Sequence, residues 1–320
     1  MSNVVSEDGK PLWERPDQIN PLAILGGLLV VLIWGYWNSL TTAAGYWDSD
    51  KYSHGYLIPL FTLTLLFLRF EPLGPVSSKE RWWGVGLLSV GLGIRMLATF
   101  FPNITPEMYS FVPAAAGLVL LVGGWKMFRW AGPPVGFLIF MFPLPGILDR
   151  GLLAPLQKIA TRASTYCLQT MGIPSYYEGN TILVGDLQMG VVEACSGLRM
   201  LTIFLALAVA ITLVTSRPLW ERIVIVVSAV PIALAVNMIR ITVTGILYFF
   251  SEPGTWLDKE TVDKLFHIGA GWVMMPLALG FLFVEAQILS RILIDDGPQG
   301  PLPIGVGSPR RREPVSANMG

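Results

Sequence analysis

Charged residues are scarce in this chain of 320 residues. Only 14% of the residues are Asp, Glu, Lys or Arg, and 22 basic residues balance 22 acidic ones. Soluble domains carry roughly 25% charged residues, so this composition excludes an ordinary soluble protein. The zero net charge gives no electrostatic basis for binding nucleic acid. With 53% hydrophobic residues and a mean hydropathy of +0.58, the chain is predicted to be an all-α polytopic membrane protein.

Cysteine and histidine are also rare, which limits the chemistry available to the chain. The two cysteines, Cys167 and Cys195, and the two histidines, His54 and His267, form no Cys-x-x-Cys or His-x-x-x-His spacing. We therefore expect no metal site and no cofactor. A disulfide between the two cysteines is an alternative, and it would occupy the thiol of Cys195.

Eight apolar segments are candidates for crossing a bilayer, whose hydrocarbon core needs about 20 residues of helix, or fewer where the bilayer thins. Seven or nine spans are alternatives, because the second segment is short, the fourth and fifth are separated only by residues 125–127, and the seventh could be two pieces. The predicted spans are 21–40, 56–70, 82–100, 110–125, 127–144, 195–215, 220–250 and 265–290.

The positions of Lys and Arg predict that both termini are cytoplasmic. In that orientation the inner segments hold about twice as many basic residues as the outer segments, in agreement with the positive-inside rule. Residues 1–20 then form a cytoplasmic segment, residues 21–294 the membrane domain, and residues 295–320 a disordered cytoplasmic tail. We expect the protein to lie in the inner (cytoplasmic) membrane of the cell, surrounded by the lipid bilayer.

One outer segment, residues 145–194, is long enough to have structure of its own. Apolar residues recur at helical spacing from Leu152 to Tyr166, which predicts a helix lying in the membrane interface. β-Branched residues flank residues 185–186, which predicts a short hairpin of residues 180–184 and 187–192 before the sixth span.

Cys195 is the most informative residue in the chain. It lies in the sequence ACSGLR, residues 194–199, where the sixth span begins. At the N-terminus of a helix, the helix dipole and a nearby cation favour the thiolate, which is the nucleophilic form of cysteine. A buried and inert cysteine is the alternative interpretation.

Several other polar residues are predicted at the same outer depth as Cys195. Titratable groups inside a membrane are costly and are therefore functional candidates. For any one of them, snorkelling or pairing with a backbone carbonyl is the alternative. Arg95 lacks such neighbours, so we expect it to form a structural ion pair or to bind a backbone group. The residues that converge are His54, Arg199, Asn237, Arg240 and His267.

Together these motifs resemble the exosortase/archaeosortase family of multi-span membrane cysteine transpeptidases. The matching motifs are YSHGYLIP at residues 52–59, ACSGLR at 194–199 and NMIRI at 237–241, followed by His267. The resemblance covers roughly residues 48–285, which is nearly the whole predicted membrane domain.

The resemblance implies a catalytic site and a class of substrate. Cys195 would be the nucleophile, Arg240 the stabiliser of the oxyanion and His267 the general acid and base. The substrates would be membrane-anchored proteins with a carboxyl-terminal sorting signal, often a Pro-Glu-Pro motif followed by a transmembrane helix and basic residues. The enzyme would cleave at this signal through a thioester. Supporting or substrate-binding roles are implied for His54, Arg199 and Asn237.

Two other functions stay open at this point. A transporter or export-channel subunit would use Arg and Asn to line a polar path, but such residues would be spread through the depth of the membrane, whereas here they gather near one face. An inactive scaffold in surface-polymer assembly is the third possibility.

Overall fold

Helices make up most of the described chain, because a chain in hydrocarbon must satisfy its backbone groups internally. The computed structural model describes residues 16–49, 52–100, 104–148, 151, 154–185, 187–190, 197–215, 218–251, 262, 277, 280–281, 283–285 and 287–288. The predicted tail 295–320 and most of the predicted eighth span lie outside these residues.

The amino-terminal part contains three helices. Helix α1 (Pro16–Gly35) and helix α2 (Trp37–Trp47) are separated at Tyr36, whose φ of −96° and ψ of 11° depart from helical values. The predicted first span, residues 21–40, therefore missed this change of direction. A 3₁₀ turn (Ser53–Tyr56) then leads directly into α3 (Leu57–Leu68).

The next two helices form an antiparallel pair. Helix α4 (Ser78–Ala98) begins with a capping box, in which the side chains of Ser77 and Glu80 accept hydrogen bonds from each other's backbone N–H groups. Helix α5 (Thr105–Phe137) is interrupted at Gly124, which has a φ of 62° and a ψ of −167°. This interruption lies next to residues 125–127, where the sequence separates the predicted fourth and fifth spans.

The segment that the sequence predicts as an outer insertion, residues 145–194, contains a helix and a three-stranded sheet. After a 3₁₀ turn (Leu138–Met141) and the short α6 (Gly146–Leu148), helix α7 spans Ala154–Thr170. Strands β1 (Ser175–Glu178), β2 (Thr181–Val184) and β3 (Leu187–Gly190) form an antiparallel sheet in the order β1-β2-β3. The predicted hairpin lacked β1, so the sheet has one strand more than the sequence suggested.

Two further helices follow the sheet. Helix α8 spans Gly197–Val214, and helix α9 spans Leu219–Phe249 as one continuous helix. Residues 262, 277, 280–281, 283–285 and 287–288 are also helical. Among the described residues, three helical segments are long and apolar enough to cross a membrane: Gln18–Gly35, Thr105–Met141 and Leu219–Phe249. The count of eight spans stays a prediction.

Hydrogen bonds hold several connecting segments together at one end of the helix bundle. Gln18 exchanges hydrogen bonds with the backbone of Leu73, and Arg69 Nη1 donates to the carbonyl of Leu213 over 3.2 Å. The start of α1, the α3–α4 connection and the end of α8 therefore lie at the same end. The Lys and Arg pattern predicts this same grouping as the cytoplasmic side.

A polar cluster joins Tyr36, α2, α4 and α5 beside the largest apolar core. Arg95 Nε lies 3.4 Å from Glu107 Oε1, which also accepts a 2.7 Å hydrogen bond from Ser39. The guanidinium of Arg95 lies over the ring of Tyr36, and the Tyr36 hydroxyl shares a 2.8 Å hydrogen bond with Ser110. The expected structural ion pair of Arg95 is confirmed.

Glycines let α4 and α5 approach closely. A Cβ atom at Gly91 would lie 2.6 Å from the backbone nitrogen of Ala114, and one at Gly117 would lie 2.5 Å from that of Leu88. Small residues are the usual means of close helix contact in membranes.

We expect Gly91→Ala to destabilise the protein by about 1–3 kcal/mol, because the new methyl group would push two backbones apart. The matched control is Gly93→Ala, two residues along the same helix, where no atom lies within 4 Å of the new methyl group. Thermal unfolding in detergent measures the difference. Equal melting temperatures for the two variants would contradict this close contact.

Candidate active site

Helix α9 carries two of the predicted site residues on its buried face. The side chain of Arg240 is 6% exposed and that of Asn237, one turn earlier, is 7% exposed. Asn237 Oδ1 receives no hydrogen bond from the described part of the chain. Elsewhere on α9, Val227, Ile239 and Val243 are exposed, as expected of a helix that meets lipid over part of its surface. The structure thus brings Asn237 and Arg240 together within the protein.

Helix α7 packs its hydroxyl-bearing face against α9. Thr161, Ser164 and Thr165 are buried, and Ser164 Oγ donates a 3.3 Å hydrogen bond to the carbonyl of Met238. Thr161 and Thr165 donate to carbonyls of their own helix, at 2.9 Å each. Sequence reasoning missed this packing, because it followed the larger apolar residues Ile159 and Tyr166, which are exposed. The available signal was the spacing of small and hydroxyl residues.

The sheet packs against the same helix just beyond Arg240. Alternation along β2 buries Ile182 and Val184, which belong to one apolar cluster with Ile241 and Tyr248 of α9. Met189 of β3 joins this cluster. The sheet is therefore held beside the residue that follows Arg240.

The start of α8 lies at the level of Arg240. Leu201 and Phe204 pack in one cluster with Ala233 and Val236. Since α8 and α9 are antiparallel and joined by a short connection, the residue one turn before Leu201 meets α9 one turn beyond Val236. That residue is Gly197, the first of α8. Arg199 lies in the first turn of α8, but its side chain is outside the described part of the structure.

Cys195 and His267 lie outside the described residues. The described residues on either side of His267 pack along α9. Val262 belongs to the cluster of Ile241 and Tyr248, and Leu277 contacts the cluster of Ala233 and Val236.

His54 is buried in the 3₁₀ turn before α3 and is 9% exposed. Its ring lies 6.4 Å from that of Tyr52. The next residue, Gly55, has no room for a side chain, because a Cβ there would overlap the indole ring of Trp47. Trp47 Nε1 donates a 2.8 Å hydrogen bond to the carbonyl of Met141. The turn with His54 is thereby fixed against the segment after α5.

That segment connects the surroundings of His54 with those of Arg240. Phe142 belongs to the large core that contains Ile58 of α3, and Leu144, two residues later, packs against the cluster of Leu201 and Val236. Within the described part of the chain, Asn237 and Arg240 lie together on α9, and residues 141–144 connect the surroundings of His54 with their region.

Comparison with known families identifies the chain. A sequence model described as Transmembrane exosortase matches residues 46–284, about three quarters of the chain. The chain belongs to the transmembrane exosortase family. No curated protein and no solved structure matches it.

Membership of the exosortase family agrees with the apolar helices. The matched range begins one residue before Trp47 and ends near the last described helical residues. It contains His54, the whole insertion, α8 and α9. The protein is therefore a membrane exosortase-like protein, and its family implies protein substrates.

We expect Gly55→Ala to destabilise the turn with His54 by about 1–3 kcal/mol, because Trp47 leaves no room for a methyl group. Gly45→Ala in α2 is the control, since nothing lies within 4 Å of that position. Limited proteolysis of the two variants in detergent measures local opening. If both variants are cleaved at the same rate at this turn, the close contact of Gly55 with Trp47 does not stabilise the turn.

Proposed function

We propose that this exosortase is a membrane cysteine protease or transpeptidase that cleaves the carboxyl-terminal sorting signal of exported proteins. The observation that carries the proposal is the burial of Arg240 at the level where α8 begins, in a chain of this family. Cys195 precedes the first residue of α8 by two positions. Covalent geometry keeps its Cα within about 8 Å of that of Gly197.

In the proposed reaction the thiolate of Cys195 attacks the carbonyl carbon of the scissile peptide bond. The electron pair of the C=O bond moves to oxygen, and the guanidinium of Arg240 donates hydrogen bonds to the resulting oxyanion. The C–N bond then breaks, and the imidazolium of His267 gives its proton to the departing amine. An acyl thioester on Cys195 remains.

A second nucleophile resolves this thioester. Either water or an amine attacks the acyl carbon, His267 takes up its proton and the thiolate of Cys195 leaves. Attack by water releases the shortened protein, and attack by an amine joins the shortened protein to that amine through a new amide bond. Membership of the family implies that the substrates are proteins. Cleavage at a carboxyl-terminal sorting signal is the additional part of this proposal.

The surroundings of Arg240 suit a peptide substrate. Asn237 Oδ1 is a buried acceptor one turn from Arg240, and it can accept a hydrogen bond from a substrate N–H group. His267 lies in sequence between Val262 and Leu277, whose clusters lie on the two sides of Arg240 along α9. This supports a role for His267 beside Arg240. Supporting roles for His54 and Arg199 belong to the same proposal.

Replacing the proposed nucleophile gives the most direct test. In cells that lack the native gene, we expect Cys195→Ala to leave exported proteins with their carboxyl-terminal signals intact, because no thioester can form. Mass spectrometry of their carboxyl termini is the measurement. Cys167→Ala is the matched control, since Cys167 is a half-buried free thiol in α7. Normal processing by Cys195→Ala would overturn the proposed function.

Replacing Arg240 tests stabilisation of the oxyanion. We expect Arg240→Gln to slow processing by about 10²–10³-fold, because the amide supplies no positive charge. Gel filtration in detergent checks that the variant folds. Arg162→Gln is the control, since Arg162 is exposed on the neighbouring α7. A folded Arg240→Gln protein with normal processing would exclude this role.

A further inference from the structure

The two edges of the three-stranded sheet are unlike each other. Along β1, Gln169 of α7 donates a 2.7 Å hydrogen bond to the carbonyl of Ser175, and Arg162 lies over the ring of Tyr177. A charged residue, Glu178, ends this strand. Covering and charging an edge in this way prevents it from pairing with other strands.

Within the described residues, strand β3 carries none of these protections. Its residues Leu187–Gly190 include no charged residue and no proline. Val184 and Leu187 close a two-residue turn, so they form a hydrogen-bonded pair, as do Ile182 and Met189. The backbone N–H and C=O groups of the alternate residues, Gln188 and Gly190, consequently point away from β2.

Gln188 and Gly190 thus present a row of donors and acceptors. Within the described part of the chain, neither has a backbone–backbone hydrogen bond on this side. Gln188 is exposed, and Gly190 has no side chain to hinder an approaching chain. Such alternating N–H and C=O groups match an extended polypeptide, which places the same groups at the same spacing.

The position of this edge connects it with the proposed chemistry. Met189 anchors β3 in the cluster of Ile241, the residue after Arg240. Cys195 follows Gly190 by five positions, a distance of at most about 18 Å for an extended chain. A peptide bound along β3 would therefore have its neighbouring bonds within reach of the proposed nucleophile.

We propose that the edge of β3, at Gln188 and Gly190, binds the substrate polypeptide as an added β-strand next to its scissile bond. This inference rests on the proposed function, because it assigns a binding site to the same cleavage reaction. Main-chain hydrogen bonds supply the affinity, so the bound segment is recognised by its extended conformation.

Proline substitution removes the outward donor while leaving the pairing of β3 with β2 intact. We expect Gln188→Pro to lower the rate of processing of the exported proteins about tenfold, which corresponds to the loss of one hydrogen bond. Gln188→Ala, which keeps the N–H group, should process them at the wild-type rate. Tyr177→Pro, at an outward position of β1, is the matched control and should also be normal.

A photo-crosslink gives a second readout that does not depend on the fold of the proline variant. We place p-benzoylphenylalanine at position 188 in full-length Cys195→Ala protein, in cells that accumulate the uncleaved precursor. We expect a covalent adduct with the precursor from position 188 and none from position 177. Adducts at both positions or at neither, or wild-type processing by folded Gln188→Pro, would overturn the binding site.

Failure of this inference is distinguishable from failure of the proposed function. If Cys195→Ala blocks processing while folded Gln188→Pro processes normally, only the β3 site is wrong. If Cys195→Ala processes normally, the proposed function is wrong, and the proposed binding site at β3 is then wrong as well.

Discussion

The packing of α9 against α7 and α8 is the contact on which the candidate site depends. An arginine at membrane depth costs about 2.5–3.5 kcal/mol when it faces hydrocarbon. Arg240 avoids lipid only because two neighbouring helices and the sheet enclose its face of α9. The same packing sets the start of α8 at the level of Arg240. Removing this contact would therefore shift the start of α8 relative to Arg240 as well as loosen the bundle.

Sequence patterns predicted the features that arise from local chemistry. Runs of apolar residues predicted the positions of α3, α8 and α9 to within a few residues, because hydrocarbon demands continuous apolar helices. The pair Gly185-Asp186 marked the turn between β2 and β3. The interruption at Tyr36 was missed, although Gly35 precedes it, because the apolar run of the predicted span continues through both residues. Strand β1 was missed since three of its four residues are exposed and it shows little apolar alternation.

The candidate site was predictable in part. A buried Arg240 beside Asn237 follows from their place in an apolar helix, since polar residues there must face protein. The hydroxyl face of α7 was not predictable from hydrophobic periodicity, because Ser164 and Thr165 pack through small size and local hydrogen bonds. The role of residues 141–144 in connecting His54 to α8 and α9 depends on contacts between distant parts of the chain. No local pattern reports such contacts.

The interruption at Gly124 has a consequence for how the gene can vary. Its φ of 62° lies in the region that residues with a side chain rarely adopt, and a Cβ there would lie 3.0 Å from a carboxylate oxygen of Glu80. Every one-base change in a glycine codon that alters the residue adds a side chain. Each such mutation would strain the backbone where α4 begins and α5 turns. Gly124 is therefore a position at which substitution is disfavoured by the backbone alone, without any role in binding substrate.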